Sequence, residues 1–385
     1  MLKILFSAGF RVFFPLAAIG AVLLLPCWVL LITGYTDYLP STFSMTAWHQ
    51  HEMIFGVFAS VIIGFLFTAV PNWTGKPSPS GLPLALLAVL WVLGRLAVFY
   101  SSTLPDIITI VIDVSLLPLA IMGIAPAIFK TGNKRNYFLP IMLTIFAGFN
   151  LCSHLAANGM INIDENNFFI AALLFVVMLM NVIGGRVAPS FLKNKYPDLN
   201  LTNYKLVLPL SMISIVAMMI CIIGEAPQYI TGTFSGLAAL LITLRLWGWK
   251  GWVALSDPLM VILHIGILWI AIGFYIMTYA NFVDDSYIIL SYHALSVGAA
   301  GSLTLGMMSR AIIGHSGLPM NNEFIITSIL CLVNLAAITR IIAPIFFVDQ
   351  YTMLLSISGI CWVLAYLLFL IRFVPTVIKA KSLGL

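Results

Sequence analysis

The sequence predicts an all-α integral membrane protein with about twelve transmembrane helices and both termini in the cytoplasm. Hydrophobic residues make up 62% of the 385 positions and only 8% are charged, against about 25% in an ordinary soluble domain. A soluble protein of this size cannot bury so much apolar surface. The apolar residues form runs of about 20, the length that a helix needs to cross a bilayer. We therefore expect a single transmembrane domain over residues 1–385.

Twelve apolar runs follow one another along the chain. The first begins after Lys3 and Arg11 and is longer than the apolar core of a signal peptide, so it is interpreted as a helix that stays in the membrane. The predicted helices lie near residues 12–33, 48–70, 83–100, 105–129, 137–160, 168–189, 204–224, 227–247, 257–279, 286–313, 323–343 and 351–373.

The positive charges support this number of helices. If the N-terminus is cytoplasmic, all of the 18 lysines and arginines except Arg95 and Arg340 fall on the inner side, where such residues accumulate. One helix too many or too few would scramble this distribution from that point onward. The charges therefore predict twelve helices with both termini inside.

Composition also excludes several classes of protein. A net charge of +5 over the whole chain makes no basic patch, so no nucleic-acid partner is expected. The apolar runs are continuous and do not alternate as the strands of a transmembrane β-barrel do. The five cysteines lie inside apolar runs without a CxxC pair, which indicates small buried residues rather than a disulfide scaffold.

Histidines are the most informative polar residues of the predicted helices. Four of the six lie toward the outer face, namely His49, His51, His154 and His293. Ionisable groups inside a membrane are costly, so each is a functional hypothesis. Because imidazole is a common ligand of haem iron and of copper, the cluster predicts a metal or haem site in the outer half. The alternative is that each histidine is neutral and bonded to a carbonyl or a hydroxyl.

Small residues share a helix face with a histidine on two of these helices. On the second helix His49, Glu52 and Gly56 recur at helical spacing, and on the tenth His293 and Ser296 do so. Such a face either leaves room for a flat cofactor or lets two membrane helices pack closely.

Arg95 and Arg340 are the two cations that break the inside pattern. Arg95 has a candidate partner in Asp113 on the next helix, whereas Arg340 has none within its own helix. A haem propionate would suit either guanidinium. For Arg340 the alternative is a side chain that extends to lipid phosphate.

Several longer motifs resemble one family. The stretch WHQHEMIFG at 48–56 continues as GFL at 64–66 and TAVPNWTG at 68–75, and further pieces are IGGR at 183–186, LHIG at 263–266, HALSVGA at 293–299 and GHSG at 314–317. Together they are similar to the NnrS family over nearly the whole chain. One departure is Ser316, where the family pattern has threonine.

The resemblance implies a protein of the bacterial inner membrane that contains haem b and copper. It also implies a link to nitric oxide, to denitrification and to tolerance of nitrosative stress. The expected partners are nitric oxide, the lipid bilayer and an electron donor that the sequence does not identify. Whether the protein is an enzyme that acts on nitric oxide as an oxidoreductase stays open.

An analogy suggests the haem ligands. The catalytic subunits of haem–copper oxidases also have twelve helices, and their low-spin haem lies between histidines of helices 2 and 10. We therefore expect His51 and His293 to ligate the haem, with His49 as the alternative ligand on helix 2 and with Arg340 and Arg95 near the haem carboxylates. The chain lacks histidines on helices 6 and 7, so it does not have the complete copper centre of those oxidases.

The remaining outer residues are candidates for the second metal. After two histidines are assigned to haem, His49 and His154 remain at the outer level, and Glu52 lies one turn from His49. Copper bound by these three side chains is the prediction. Secondary candidates, all toward the inner side, are His264, His315, Arg186 and Arg310.

Two other functions fit the same chain. A transporter of a metal or of a nitrosyl–iron species would use polar residues near the midplane, such as Asn150, Asn181 and Asn334. An electron-transfer protein would hold a bis-histidine haem that never meets a gas. A haem spectrum would distinguish a haem protein from the transporter. A spectral response to nitric oxide would distinguish a haem protein that binds the gas from the electron-transfer protein.

Overall fold

The structure is a computed structural model that describes residues 1–321 and 323–379. Within these ranges the chain forms helices joined by turns and short loops, without a strand. A short N-terminal helix, Leu2–Leu5, precedes the long apolar helices. The predicted all-α polytopic fold class is confirmed.

Twelve apolar helices follow in the described residues, numbered α1 to α12 in chain order. They are α1 Gly9–Ile32, α2 Met45–Thr74, α3 Leu82–Phe99, α4 Asp106–Lys130, α5 Lys134–Ala157, α6 Glu165–Lys195, α7 Val207–Ile223, α8 Gln228–Trp249, α9 Pro258–Phe282, α10 Asp285–Ser316, α11 Phe324–Phe346 and α12 Val348–Ile378. Eleven of them are long and apolar enough to cross a membrane, and α7 is shorter, with 17 residues.

Each predicted helix has a counterpart at nearly the same position. The largest difference is at the end of α6, which continues to Lys195 although the prediction stopped at Pro189. Proline is tolerated inside membrane helices because neighbouring groups satisfy the carbonyl that it leaves free. Lys195 forms an ion pair of 2.8 Å with Asp257 at this end.

Contacts divide the described chain into two compact units. The first unit comprises residues 1–169, 311–319 and the chain from 366 onward; the second comprises 170–310 and 320–365. In the first unit α1 packs along α2, and α4 packs on α2, α3 and α5. In the second unit α9 packs against α8 and α10. The prediction of a single transmembrane domain is not decided by this division.

Glycines allow the closest helix contacts in both units. A Cβ on Gly64 of α2 would lie 2.8 Å from Phe14 of α1, and one on Gly298 of α10 would lie 2.6 Å from Trp269 of α9. At Gly64 the small-residue face of α2 is packed against the neighbouring helix, as the close-packing interpretation expects. The interpretation that these faces leave room for a flat cofactor stays a prediction.

Three segments of the long helices are π-helical. They are Glu52–Phe58 in α2, Ala294–Gly301 in α10 and Ile338–Ile342 in α11. π segments in α-helices are rare and concentrate at functional sites. The first two begin directly after His51 and His293.

The cysteines are free thiols, as expected of a protein without a disulfide scaffold. The prediction that all of them are buried is wrong, because Cys27 and Cys331 are exposed. Both belong to apolar helices, α1 and α11. A small apolar residue is stable on a helix face that contacts lipid.

We expect Gly64→Ala to destabilise the protein by about 1–3 kcal/mol, since the added methyl group overpacks the contact with Phe14. Gly148→Ala is the matched control, because a Cβ there meets no atom within 4 Å. That substitution should be neutral or stabilising by up to about 1 kcal/mol through helix propensity. Thermal unfolding of both variants in detergent measures the difference, and equal midpoints would contradict the packing argument.

Candidate metal centre

A buried polar cluster lies in the first unit, where α2, α4 and α5 carry His51, Asp113 and His154. His51 and His154 are 0% and 1% exposed, and Asp113 is 3% exposed. The charge distribution assigns this end of the helices to the outer side of the membrane. Such a group inside a membrane domain must be compensated internally.

The two imidazoles converge on one carboxylate oxygen. Nε2 of His51 lies 3.0 Å from Oδ2 of Asp113, and Nε2 of His154 lies 3.1 Å from the same atom. Asn150 completes the group: its amide nitrogen donates to Oδ2 at 2.8 Å, and its Oδ1 lies 3.1 Å from Nε2 of His51.

These distances suit a metal ion. The three candidate donor atoms of His51, Asp113 and His154 all lie within 4.8 Å of one another. Donors that share a metal at about 2.1 Å are about 3.0–3.4 Å apart; the two distances to Oδ2 lie in this range, which hydrogen bonds share. Two imidazoles and one carboxylate form a donor set used for copper, iron and zinc. The residues present therefore fit a bound metal.

A second layer of charged groups fixes the carboxylate. Arg95 on α3 donates from Nη2 to Oδ1 of Asp113, the oxygen that faces away from the histidines. Its Nη1 donates to Oε2 of Glu52 at 2.9 Å. Oε1 of Glu52 lies 3.4 Å from Nδ1 of His51. Partners of this kind orient metal-binding residues and tune their basicity.

Gly56, within the π segment of α2, gives Arg95 room to reach the cluster. A Cβ on Gly56 would lie 2.7 Å from Nη1 of Arg95 and 3.2 Å from Oε2 of Glu52. The carbonyl of Gly56 accepts hydrogen bonds from Trp91 at 2.9 Å and from Ser60 at 2.8 Å. Glycine is required here because any side chain would displace the guanidinium.

Aromatic rings cover the imidazoles. Phe43 stacks on His51 with ring centroids 5.2 Å apart and lies 5.1 Å from His154. Phe169 and Phe55 contact His51 from other sides. The rings exclude water, so charges in the cluster interact strongly.

Phe43 belongs to the loop between α1 and α2, and hydrogen bonds hold this loop in place. The backbone N–H of Thr42 donates to Oγ of Ser101 at 2.8 Å, and the hydroxyl of Ser41 donates to the carbonyl of Val98 at 3.0 Å. Ser44 then caps α2 by accepting a hydrogen bond from the N–H of Ala47.

The predicted copper ligands are partly separated. His154 belongs to the cluster, but His49 does not: its ring stacks on Trp28 of α1 at 4.1 Å. Glu52 lies beside the cluster as the partner of Arg95 rather than among the three donors.

The predicted haem ligands belong to different units. His51 is in the first unit, and both of its ring nitrogens have polar neighbours there. His293 is half-buried in the second unit, where its Nδ1 donates to the carbonyl of Ile289 at 2.8 Å. The ligation of haem by these two residues stays a prediction. In the described structure His51 is a member of the metal cluster.

The two outer arginines differ in their surroundings. Arg95 pairs with Glu52 and Asp113, so the alternative partner that the sequence offered for it is present. Arg340 is 5% exposed and lies over the ring of Tyr351, with its guanidinium carbon 5.3 Å from the ring centroid.

The secondary candidates do not join the cluster. His264 is buried on α9, where its Nδ1 donates to the carbonyl of Met260 at 3.0 Å. His315 is exposed and stacks on Phe10. Arg310 lies over the ring of Phe191 at 3.8 Å. Arg186 is half-buried on α6.

Two members of the cluster were not predicted as site residues. Asp113 was considered only as a partner for Arg95, and Asn150 only as a midplane polar residue. Both are polar residues inside apolar runs, and that signal could have marked them as members of the site. The contact of both residues with His51 cannot be read from the sequence, because it depends on how α2, α4 and α5 pack.

These features define a polytopic all-helical membrane protein with a buried histidine–carboxylate centre. A family model described as NnrS protein matches residues 4–381 of the chain, so the chain belongs to the NnrS family. No curated protein matches it.

We expect Arg95→Gln to cost about 3–5 kcal/mol of unfolding free energy, because it leaves Glu52 and Asp113 as uncompensated buried charges. The control is Lys195→Gln, which breaks an ion pair whose lysine is 44% exposed and should cost about 0–1 kcal/mol. Chemical unfolding in detergent gives both values. Similar losses in the two variants would show that the buried network contributes no more than a surface pair.

Proposed function

We propose that this chain is a metalloprotein of the bacterial inner membrane that binds or converts nitric oxide, with copper held by His51, His154 and Asp113. The observation that carries the proposal is the convergence of two imidazoles on one buried carboxylate oxygen. Membership of the NnrS family supports the link to nitric oxide. The role would lie in denitrification or in tolerance of nitrosative stress, with an electron donor still to be identified.

The charges of the cluster favour a monovalent cation. Glu52 and Asp113 supply two negative charges when ionised, and Arg95 supplies one positive charge. One further positive charge balances the group if both imidazoles are neutral. Cuprous copper supplies that charge, whereas a divalent ion leaves one in excess. Without a metal, a single proton on an imidazole has the same effect.

The protein residues would each have a defined part at this centre. Copper, when bound, supplies a redox-active ion to which nitric oxide can bind. Arg95 and Asn150 hold Asp113 in place, and Glu52 orients His51 through Nδ1. Phe43, Phe55 and Phe169 exclude water but not a small neutral gas, which crosses apolar protein and lipid freely.

The fit of haem is less well supported than that of copper. On α2 the small-residue face is packed against Phe14 at Gly64, and His51 is engaged by the cluster. Haem b is therefore proposed on the family resemblance, with His293 as the residue most directly testable.

The amides expected for a transporter are engaged in internal hydrogen bonds. Asn150 bonds to Asp113, Asn181 accepts from Arg245 at 2.8 Å, and Asn334 accepts from the indole of Trp269 at 3.0 Å. These bonds explain the three residues without a substrate path.

Copper analysis of the purified protein tests the centre. We expect about one copper per chain in the wild type and in His264→Ala. Most of it should be lost in His51→Ala and His154→Ala, which each remove a donor, and in Asp113→Asn, which replaces the charged donor by a neutral amide oxygen. His264 is the matched control, since it is a buried histidine outside the cluster. Copper that persists in His154→Ala and falls in His264→Ala would move the metal site to the inner side.

A spectral titration tests the haem and its ligand. The wild type should show a haem Soret band that shifts when nitric oxide is added under anaerobic conditions, and His293→Ala should lose the band while staying in the membrane. A haem band that ignores nitric oxide would indicate an electron-transfer protein. A colourless, monodisperse wild type would favour a transporter, and full haem in His293→Ala would reject that residue as a ligand.

A further inference from the structure

A motif repeated on α2 and α10 relates the two units. His51, Gly56, Ser60 and Gly64 of α2 have the spacing H-x4-G-x3-S-x3-G, and His293, Gly298, Ser302 and Gly306 of α10 have the same spacing. In each case the helix changes from α to π directly after the histidine. The sequence SGLP occurs after both motifs, at 80–83 where α3 begins and at 316–319 where α10 ends. Four matched positions, the same change of helix type and the same SGLP sequence indicate an internal repeat.

The helix that follows each motif carries an arginine toward its outer end. Arg95 on α3 follows α2, and Arg340 on α11 follows α10. Both are buried, with 8% and 5% exposure. In the second unit the π segment that contains Arg340 packs against the helical turn that ends at His293. The two arginines are therefore equivalent members of the repeat.

Their counter-charges are not equivalent. Arg95 has Glu52, directly after His51, and Asp113 on α4. The position directly after His293 is Ala294, and residues 351–365 of α12 contain no acidic residue. Among the described residues no carboxylate lies within 4.0 Å of Arg340, although Asp349 lies at the start of α12.

The guanidinium of Arg340 is thus under-compensated. Tyr351 provides its ring, whose centroid lies 5.3 Å from the guanidinium carbon. Nη1 is buried and has no hydrogen-bond partner among the residues that the structure describes. A buried cation with an unmet donor is costly in a membrane protein, and an oxyanion with two acceptor oxygens would satisfy both the charge and the donor.

We propose that Arg340 anchors a second binding site, which takes the oxyanion of an otherwise apolar molecule. The chain between Arg340 and Tyr351 exposes three large apolar side chains, Phe346, Phe347 and Val348, beside the polar Asp349 and Gln350. A porphyrin carboxylate and the phosphate of a membrane lipid share this chemistry. The porphyrin source rests on the proposed function; the lipid source does not.

Native mass spectrometry of the detergent-purified full chain tests the proposal with two pairs of probes. Protohaem is compared with its dimethyl ester, in which both carboxylates are blocked. Phosphatidylglycerol is compared with diacylglycerol, which has the same acyl chains but no phosphate. The variants are Arg340→Gln, Arg340→Lys and the control Arg372→Gln. Arg372 lies near the C-terminal end of α12, whereas Arg340 contacts Tyr351 at the N-terminal end of that helix.

We expect one anionic probe to bind the wild type at least about tenfold more tightly than its neutral counterpart, as one charge-assisted hydrogen bond requires. Arg340→Gln should abolish this preference, Arg340→Lys should keep part of it, and Arg372→Gln should keep all of it. The probe pair that shows the preference identifies the source.

Equal binding of each anionic probe and its neutral counterpart by the wild type overturns the proposal, and this comparison needs no variant to fold. A preference that survives in Arg340→Gln overturns it as well. If protohaem and its ester bind equally and tightly, haem binding stands and the role of Arg340 toward it falls. If neither porphyrin binds, the haem part of the proposed function falls, and the lipid pair alone decides the role of Arg340.

Discussion

The pairing of Asp113 with Arg95 inside the membrane domain is the interaction on which the candidate centre depends. It joins α3 to α4 and occupies the carboxylate oxygen that faces away from the histidines, which leaves the other oxygen for His51 and His154. Without the guanidinium, two carboxylates would be buried among apolar helices, and the penalty would be several kcal/mol. The same pairing that stabilises the helices therefore also sets the direction of the donor atom.

Most of the fold follows from the sequence because the bilayer imposes one length on every helix. Apolar runs of about 20 residues separated by polar turns leave little freedom for the boundaries. The exception is α6, which was predicted to end at Pro189 but continues to Lys195, because membrane helices tolerate proline. Only the side of the membrane on which each end lies rests on charge alone.

The centre was predictable only in part. His154, Glu52 and Arg95 stood out because ionisable side chains are rare inside apolar runs, and the pair of Arg95 and Asp113 followed from adjacent helices. The assignment of His51 to haem, and of His49 to the metal, came from analogy and depth. Which imidazole meets which carboxylate depends on how separate helices pack. The π segment after His51 also has a smaller rotation per residue than the 100° of an α-helix, so the helix faces predicted for the residues after it are shifted.

The position of Phe43 on a loop has a consequence for how the centre is loaded. The other groups around the imidazoles come from long helices, which cannot move without repacking the domain. The loop that carries Phe43 is held to the end of α3 by a few hydrogen bonds of Ser41 and Thr42. If a metal binds at this centre after folding is complete, displacement of this single aromatic cap is a movement that leaves the helices that carry the imidazoles in place. The loop, and not the helix bundle, would then govern how the metal enters.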